Sequence, residues 1–214
     1  MPHRLTWYFD VISPYAYLQT ADLDRLPPGT EVVAKPVLFA GLLNHWGQKG
    51  PAEIPAKRLH TYRQCAWMAG ERGLPFRMPP AHPFNPLNAL RVLCALGPTV
   101  EQARIGLRFV FGQGCDPSTP EGLGALGEAL GVRDAAALAG SDAAKAALRT
   151  NTDAAIAQTV WGVPTFAVDG ELFWGADSFP MLLDYLGNPG LFDSDEMRRH
   201  ATMPMGAVRR NALS

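Results

Sequence analysis

Apolar and polar positions alternate from the fifth residue onward: Leu5, Trp7, Phe9 and Val11 fall on one side, Thr6, Tyr8 and Asp10 on the other. A period of two predicts a strand. The alternation stops at Ser13-Pro14, where a helix-capping residue precedes a proline at the first helical position, the place where its missing N–H costs nothing. The helix is expected to run through YAYLQTADLDRL (15–26) and to stop at Pro27-Pro28-Gly29, with a second strand in EVVAKPVLFA (31–40). The chain therefore opens as β-α-β.

From residue 41 the pattern becomes helical. PAKRLHTYRQCAWMAGERG (55–73) has helical spacing, FRMPPAHPFNP (76–86) is a proline-broken loop, and residues 87–97 and 99–114 form two helices parted by Gly97-Pro98. Alanine-rich stretches follow up to residue 160, where Gly122, Gly124, Gly127 and Gly131 weaken the helix expectation. No strand pattern occurs between 41 and 160. Strands return in VPTFAVDG and ELFWG, joined by the hairpin dipeptide Asp169-Gly170. A last helix, DSFPMLLDYLG, has Asp177 or Ser178 as its cap and Gly187 at its end. Residues 191–214 show no clear period and are read as a partly ordered arm. The expected organisation is α/β: a β-α-β / β-β-α domain from residues 1–40 and 150–190, an all-helical insertion over 41–149, and the C-terminal arm.

Composition narrows the function. In a chain of 214 residues, hydrophobic residues at 47% against 18% charged ones exclude a disordered chain. A formal charge of -1 gives no long-range field for nucleic acid or an anionic membrane, so neither is an expected partner. The N-terminal stretch lacks the apolar core of a signal peptide, which makes a cytoplasmic protein the expectation. Cys65, Cys94 and Cys115 are far apart and form no Cys-x-x-Cys pair, and the five histidines have no paired spacing, so no metal site is expected.

Three separated features belong to one architecture: Ser13-Pro14 after the first strand, Gly162-Val163-Pro164-Thr165 before the third, and FWGADS (173–178) leading into the last helix. Together, SPYAYL and GVPTF resemble the thioredoxin-like pairing of a Cys-Pro turn with a cis-proline. The long helical insertion resembles the DsbA-like branch. Serine in the first cysteine position resembles kappa-class glutathione transferases and 2-hydroxychromene-2-carboxylate isomerases. The stretches IPAKRLHTYRQ and GLPFRMPPAHPFNPLNALR are similar to the isomerase group. The resemblance spans residues 5–187.

That resemblance implies roles. Ser13 would stabilise the thiolate of bound glutathione; read locally, it is a helix cap and nothing more. Val163-Pro164 would be cis and would present its backbone to the cysteinyl unit of glutathione. Trp174, Gly175, Ala176, Asp177 and Ser178 would grip the γ-glutamyl end, with Asp177 on its ammonium and Ser178 on its carboxylate. Relatives often carry Asp-Arg here, so the Asp177-Ser178 pair lacks a bidentate arginine. On the substrate side, Lys57 would pair with a carboxylate or is a solvated helix lysine, Asn85 would bond a substrate oxygen or is a turn residue, and Trp46, Trp67 and Phe84 would line an aromatic pocket, with core packing the more usual role for any one of them. His60, Gln64 and Trp67 stand where relatives often have Tyr, Asp and Arg. The implied function is glutathione-dependent cis-trans isomerisation of an aromatic 2-oxo acid, in a homodimer with glutathione as cofactor. The alternatives are a kappa-like glutathione transferase or peroxidase and a non-catalytic binding module. Ser13 and Ala16 exclude dithiol exchange.

Overall fold

The computed structural model describes residues 3–207. Strand β1 (Arg4–Phe9) lies at the centre of a four-stranded sheet, flanked by β2 (Glu31–Pro36) on one side and β3 (Thr165–Val168) then β4 (Glu171–Trp174) on the other. β1 runs parallel to β2 with Trp7 opposite Ala34, and antiparallel to β3 with Trp7 opposite Phe166. β3 and β4 form a hairpin through Asp169 and Gly170, whose φ angles of 52° and 89° are the two positive values a type I′ turn requires. The alternation along β1 has its physical counterpart in two cores. Leu5, Trp7 and Phe9 enter the larger one, with Trp7 and Phe9 stacked at 4.8 Å, and Tyr8 enters the smaller one with Val37, Leu42, Ala155 and Val163.

Helix α1 (Pro14–Gln19) is shorter than the sequence pattern predicts. The Thr20 hydroxyl donates to the Tyr17 carbonyl and Gln19 turns inward to bond Trp7, so the chain leaves the helix and makes only a short 3-10 turn at Leu23–Arg25. The second strand also ends early, at Pro36, and the residues after it enter α2 (Phe39–Trp46). Its first donors are satisfied from a distance: Leu38 N–H donates to Thr152 Oγ1 at 3.0 Å and Phe39 N–H to Asp10 Oδ2 at 2.9 Å. Those two caps overrule the β-branched propensity that extended the strand to residue 40.

The insertion continues with α3 (Pro55–Glu71), α4 (Leu87–Leu96), α5 (Val100–Leu107), α6 (Pro120–Ala129), α7 (Ala135–Gly140) and α8 (Asp142–Ala157). Among the described residues no strand occurs between 41 and 160, and no helix is long and apolar enough to cross a membrane. α5 runs into a π turn at Arg108–Gly112, which frees the Phe111 carbonyl to accept from Arg77 N–H at 2.7 Å and so pins the proline-broken loop. The glycines of α6 serve close packing: a Cβ on Gly127 would lie 2.7 Å from that of Ala135, and one on Gly122 would strike the Asp116 carbonyl. Gly124 faces open space.

After β4, α9 (Phe179–Gly187) packs Phe179 and Leu182 into the larger core. The arm contains a helix the periodicity did not reveal, α10 (Asp195–Ala201). Its signals lie at its ends: the Ser194 hydroxyl accepts from Met197 N–H, acidic residues fill the first turn, and Arg198, Arg199 and His200 fill the last. Residues 208–214 of the expected arm lie outside the described residues.

Packing in α6 yields a paired prediction. Gly124→Ala should raise stability in urea unfolding by about 0.5–1 kcal/mol. Gly122→Ala should lower it by about 2 kcal/mol or more, because the helix must move off the Asp116 carbonyl. Equal effects from the two substitutions would contradict this packing.

Candidate active site

β1 delivers the chain to a tight turn that ends on Ser13. Ser13 N–H donates to the Asp10 carbonyl at 3.0 Å, and the Ser13 hydroxyl accepts from Ala16 N–H at 3.2 Å, the bond of a helix N-cap. The same hydroxyl donates across to the Val163 carbonyl at 3.4 Å. That contact is long, so the Ser13 proton is weakly held and remains available to a stronger acceptor. Ser13 is thus both a cap and a donor at the positive end of α1.

The facing loop is built by β3 and the residues before it. The Val163-Pro164 peptide is cis. The Thr165 hydroxyl donates to the Gly162 carbonyl at 2.7 Å, and Trp46 Nε1 donates to the Val160 carbonyl at 2.9 Å, fixing the approach to Val163. Gly162 has no room for a side chain: the Trp174 indole nitrogen lies 2.5 Å from where a Cβ would stand. Trp161 and Trp174 lie 6.2 Å apart and are both partly exposed, a two-ring shelf beside the loop. Pro164 accepts from Gly175 N–H at 2.8 Å, which ties the FWGADS turn to the same place.

Gly175 adopts φ 86°, and its carbonyl accepts from both Gln19 Nε2 and Ser178 Oγ at 3.1 Å. Gln19 in turn accepts from Trp7 Nε1 at 2.7 Å, so a buried polar chain runs from the core of β1 to this turn. Ala176 is buried and Asp177 is exposed, its carboxylate lying over the space beside Gly175. Ser178 occupies the position before α9 without capping it, contrary to the expectation that Asp177 or Ser178 caps this helix. With φ -81° and ψ -5° its backbone is already helical, which turns the hydroxyl towards Gly175. The start of α9 therefore has no side-chain cap.

The substrate-side candidates divide. Lys57, His60, Thr61 and Gln64 of α3 join Tyr15 and Pro51 around a cavity of about 440 Å³. Tyr15 donates to Gln64 Oε1 at 2.7 Å, and burial, then the neighbouring Cys65, pushes its hydroxyl up to about 12. Lys57 makes no ion pair among the described residues. Asn85 is exposed, and its side-chain oxygen accepts from Leu87 N–H at 3.1 Å, the work of a turn residue. Phe84 is buried in the larger core, 6.2 Å from the His82 ring, and does not line the cavity; Trp67 is exposed on α3. Trp46 is engaged with the Val160 carbonyl and does not line this cavity.

Two groups at the site escape the motifs. Asp10, fully buried, accepts from Ile12 N–H and Phe39 N–H, both at 2.9 Å. His82 bonds the Ile12 carbonyl through Nε2 at 2.8 Å and Tyr62 Oη through Nδ1 at 2.7 Å. Nε2 therefore carries the proton in the neutral ring, and burial holds the imidazole below its usual value. A lone acid in the apolar run WYFDVI was the available signal for the first; His82, enclosed by prolines, offered none. Cys65 and Cys94 are both buried, and that burial pushes their thiols up to about 12. Among the described residues no group of His, Cys, Asp or Glu is arranged to hold a metal ion.

The chain is 31% identical to glutathione S-transferase kappa 2 of Caenorhabditis elegans, over 88% of this chain and 95% of that protein. It is 28% identical to a 2-hydroxychromene-2-carboxylate isomerase of Sphingobium xenophagum, over 87% of this chain and 99% of the relative. A solved 2-hydroxychromene-2-carboxylate isomerase shares the fold with a TM-score of 0.75 at 23% identity, covering 94% of this chain and 100% of that one. Residues 4–187 match the DSBA-like thioredoxin domain, and the chain belongs to that family.

Proposed function

We propose that the protein is a glutathione-dependent isomerase acting on aromatic 2-oxo acids of the hydroxychromene-carboxylate type. The observation that carries this reading is the Ser13 hydroxyl, held at the start of α1 opposite the Val163 carbonyl, where a redox relative would place its own sulfur. Isomerase relatives of nearly full length support it. The residues present suit the tripeptide. Ser13 offers a proton donor to a thiolate, the Val163 backbone can pair with the cysteinyl unit, and the uncapped start of α9 beside Ser178 suits the γ-glutamyl carboxylate. Asp177 would take the ammonium, on a turn shaped by Trp174, Gly175 and Ala176.

Bound glutathione would supply a thiol that adds to a conjugated carbon, lets the former double bond rotate, and is expelled unchanged. Ser13 and the α1 dipole favour the thiolate, but that alone accomplishes little. Lowering a thiol pKa by about two units raises its thiolate fraction about 25-fold at neutral pH, and the weaker nucleophile takes back about eightfold. Orientation must supply the rest. Lys57 at the α3 cavity would pair with the substrate carboxylate, and Tyr15, its hydroxyl kept protonated, would border the reacting carbon. Asn85 and Phe84 are assigned no contact, because the first is engaged in its turn and the second in the core. Trp46 is left a supporting part, holding the approach to Val163. A homodimer belongs to the same reading.

A second reading is a kappa-like transferase or peroxidase. It is favoured by the higher identity to the kappa-class relative, 31% against 28%. Thiol accounting separates the two: isomerisation leaves free glutathione constant, whereas transfer consumes it in step with product.

Three outcomes are expected. Ser13→Ala should raise the pKa of bound glutathione by about 1 unit or more, read from thiolate absorbance, and an unchanged value would remove Ser13 from the chemistry. Lys57→Ala should raise KM for a carboxylate-bearing substrate about tenfold with kcat less affected. Alkylation of the native protein at pH 8 should leave Cys65 and Cys94 unmodified, and activity should depend wholly on added glutathione.

A further inference from the structure

Among the described residues Asp10 is buried without an ion pair, whereas the buried Asp22 contacts Arg25 and Arg72. It is nevertheless fully engaged. Oδ1 accepts from Ile12 N–H, Oδ2 from Phe39 N–H, and its carbonyl from Ser13 N–H, at 2.9, 2.9 and 3.0 Å. The first and third bonds shape the turn that presents the Ser13 hydroxyl. The second fastens that turn to the first residue of α2. An amide in place of the carboxyl has one acceptor oxygen for two N–H groups, so tying both segments at once requires a carboxyl. Ile12 is held from its other side by His82 Nε2, which leaves the turn little freedom except through these two side chains.

We propose that Asp10 is a positioning residue of the Ser13 site, which sets the turn against α2 and whose negative charge opposes that of a thiolate docked on the Ser13 hydroxyl. This role rests on the glutathione reading above and adds to it a second ionisation. A carboxylate just behind the start of α1 and a thiolate just in front of it are like charges separated by one turn of buried backbone, where screening by water is weak. Each ionisation therefore makes the other harder, by the same amount in both directions.

The groups facing Asp10 are few. Tyr8 precedes it by two residues on β1, Cys94 of α4 lies within electrostatic range of both Asp10 and Lys35 of β2, and His82 stands across Ile12. α2 contributes the neutral Phe39 N–H. Burial, the largest influence, raises the carboxyl to about 7 against the lowering effect of its two N–H bonds. A folded value raised above the unfolded 3.8 means that Asp10 stabilises the fold fully at low pH, and that this contribution is lost as pH rises from about 4 to about 7. Thiolate docking at Ser13 should move the upper end of that window higher.

The test uses the full chain with aspartate labelled at its carboxyl carbon. Calorimetry first establishes that glutathione binds. The carbon-13 resonance of Asp10 is then titrated with pH for the free protein, with glutathione, and with S-methylglutathione, which cannot form a thiolate. Glutathione should raise the Asp10 midpoint by about 0.5–1 unit relative to S-methylglutathione. Asp10→Asn should lower the pKa of bound glutathione by a similar amount and flatten the stability profile between about pH 4 and 7. Identical Asp10 midpoints with the two ligands would overturn the coupling, and this holds even if Asp10→Asn fails to fold, because the measurement is made on the natural chain. Absence of glutathione binding would overturn the glutathione reading itself, whereas binding with an unmoved Asp10 would overturn this inference alone.

Discussion

The antiparallel register between β1 and β3 joins two segments that lie more than a hundred residues apart in the chain. With Tyr8 opposite Thr165, the residues just beyond each strand end, Ser13 on one side and Val163 on the other, arrive within hydrogen-bonding distance. A slip of one residue would exchange the two faces of β1, sending Trp7 and Phe9 into the smaller core and Tyr8 into the larger. Burial on both faces therefore fixes the register, and the register fixes the site. The helical insertion leaves that pairing intact because it leaves the sheet after β2 and returns before β3.

Around this junction the polar groups act as ties between segments. Gln19 links Trp7 to the turn at Gly175, Asp10 links the Ser13 turn to α2, and His82 brings the insertion's proline-broken loop to Ile12. Each is buried or half-buried, where an unpaired group would be costly. Each also bonds backbone, so it holds main-chain position as much as side-chain orientation. The cavity lined by Pro51 and α3 meets this junction through Tyr15, two residues after Ser13.

Much of this was legible in the sequence where the signal is local. β1, β3 and β4 announced themselves through alternation and the Asp169-Gly170 turn, and the Ser13-Pro14 and Gly162-Thr165 segments, paired by motif, do meet in the fold. What failed depended on partners far along the chain. The second strand ends at Pro36 because Asp10 and Thr152, 29 and 114 residues from the N–H groups they accept from, cap α2. α6 tolerates its glycines because Asp116 and Ala135 press against two of them. The places of Phe84 and Trp46 likewise follow from how the insertion packs, whereas Asn85 serves its own turn, a role legible beside its proline. Asp10 was visible as an anomaly, a charge in an apolar run, but the backbone groups it serves were not.

One contact also limits how this chain can change over time. The Trp174 indole fills the space that any side chain at 162 would need, so a larger residue there displaces the indole. Losing the indole dissolves the shelf it makes with Trp161. A change at 162 is thereby felt at the end of β4, which couples the 162–165 loop and the β3–β4 hairpin in the substitutions they tolerate.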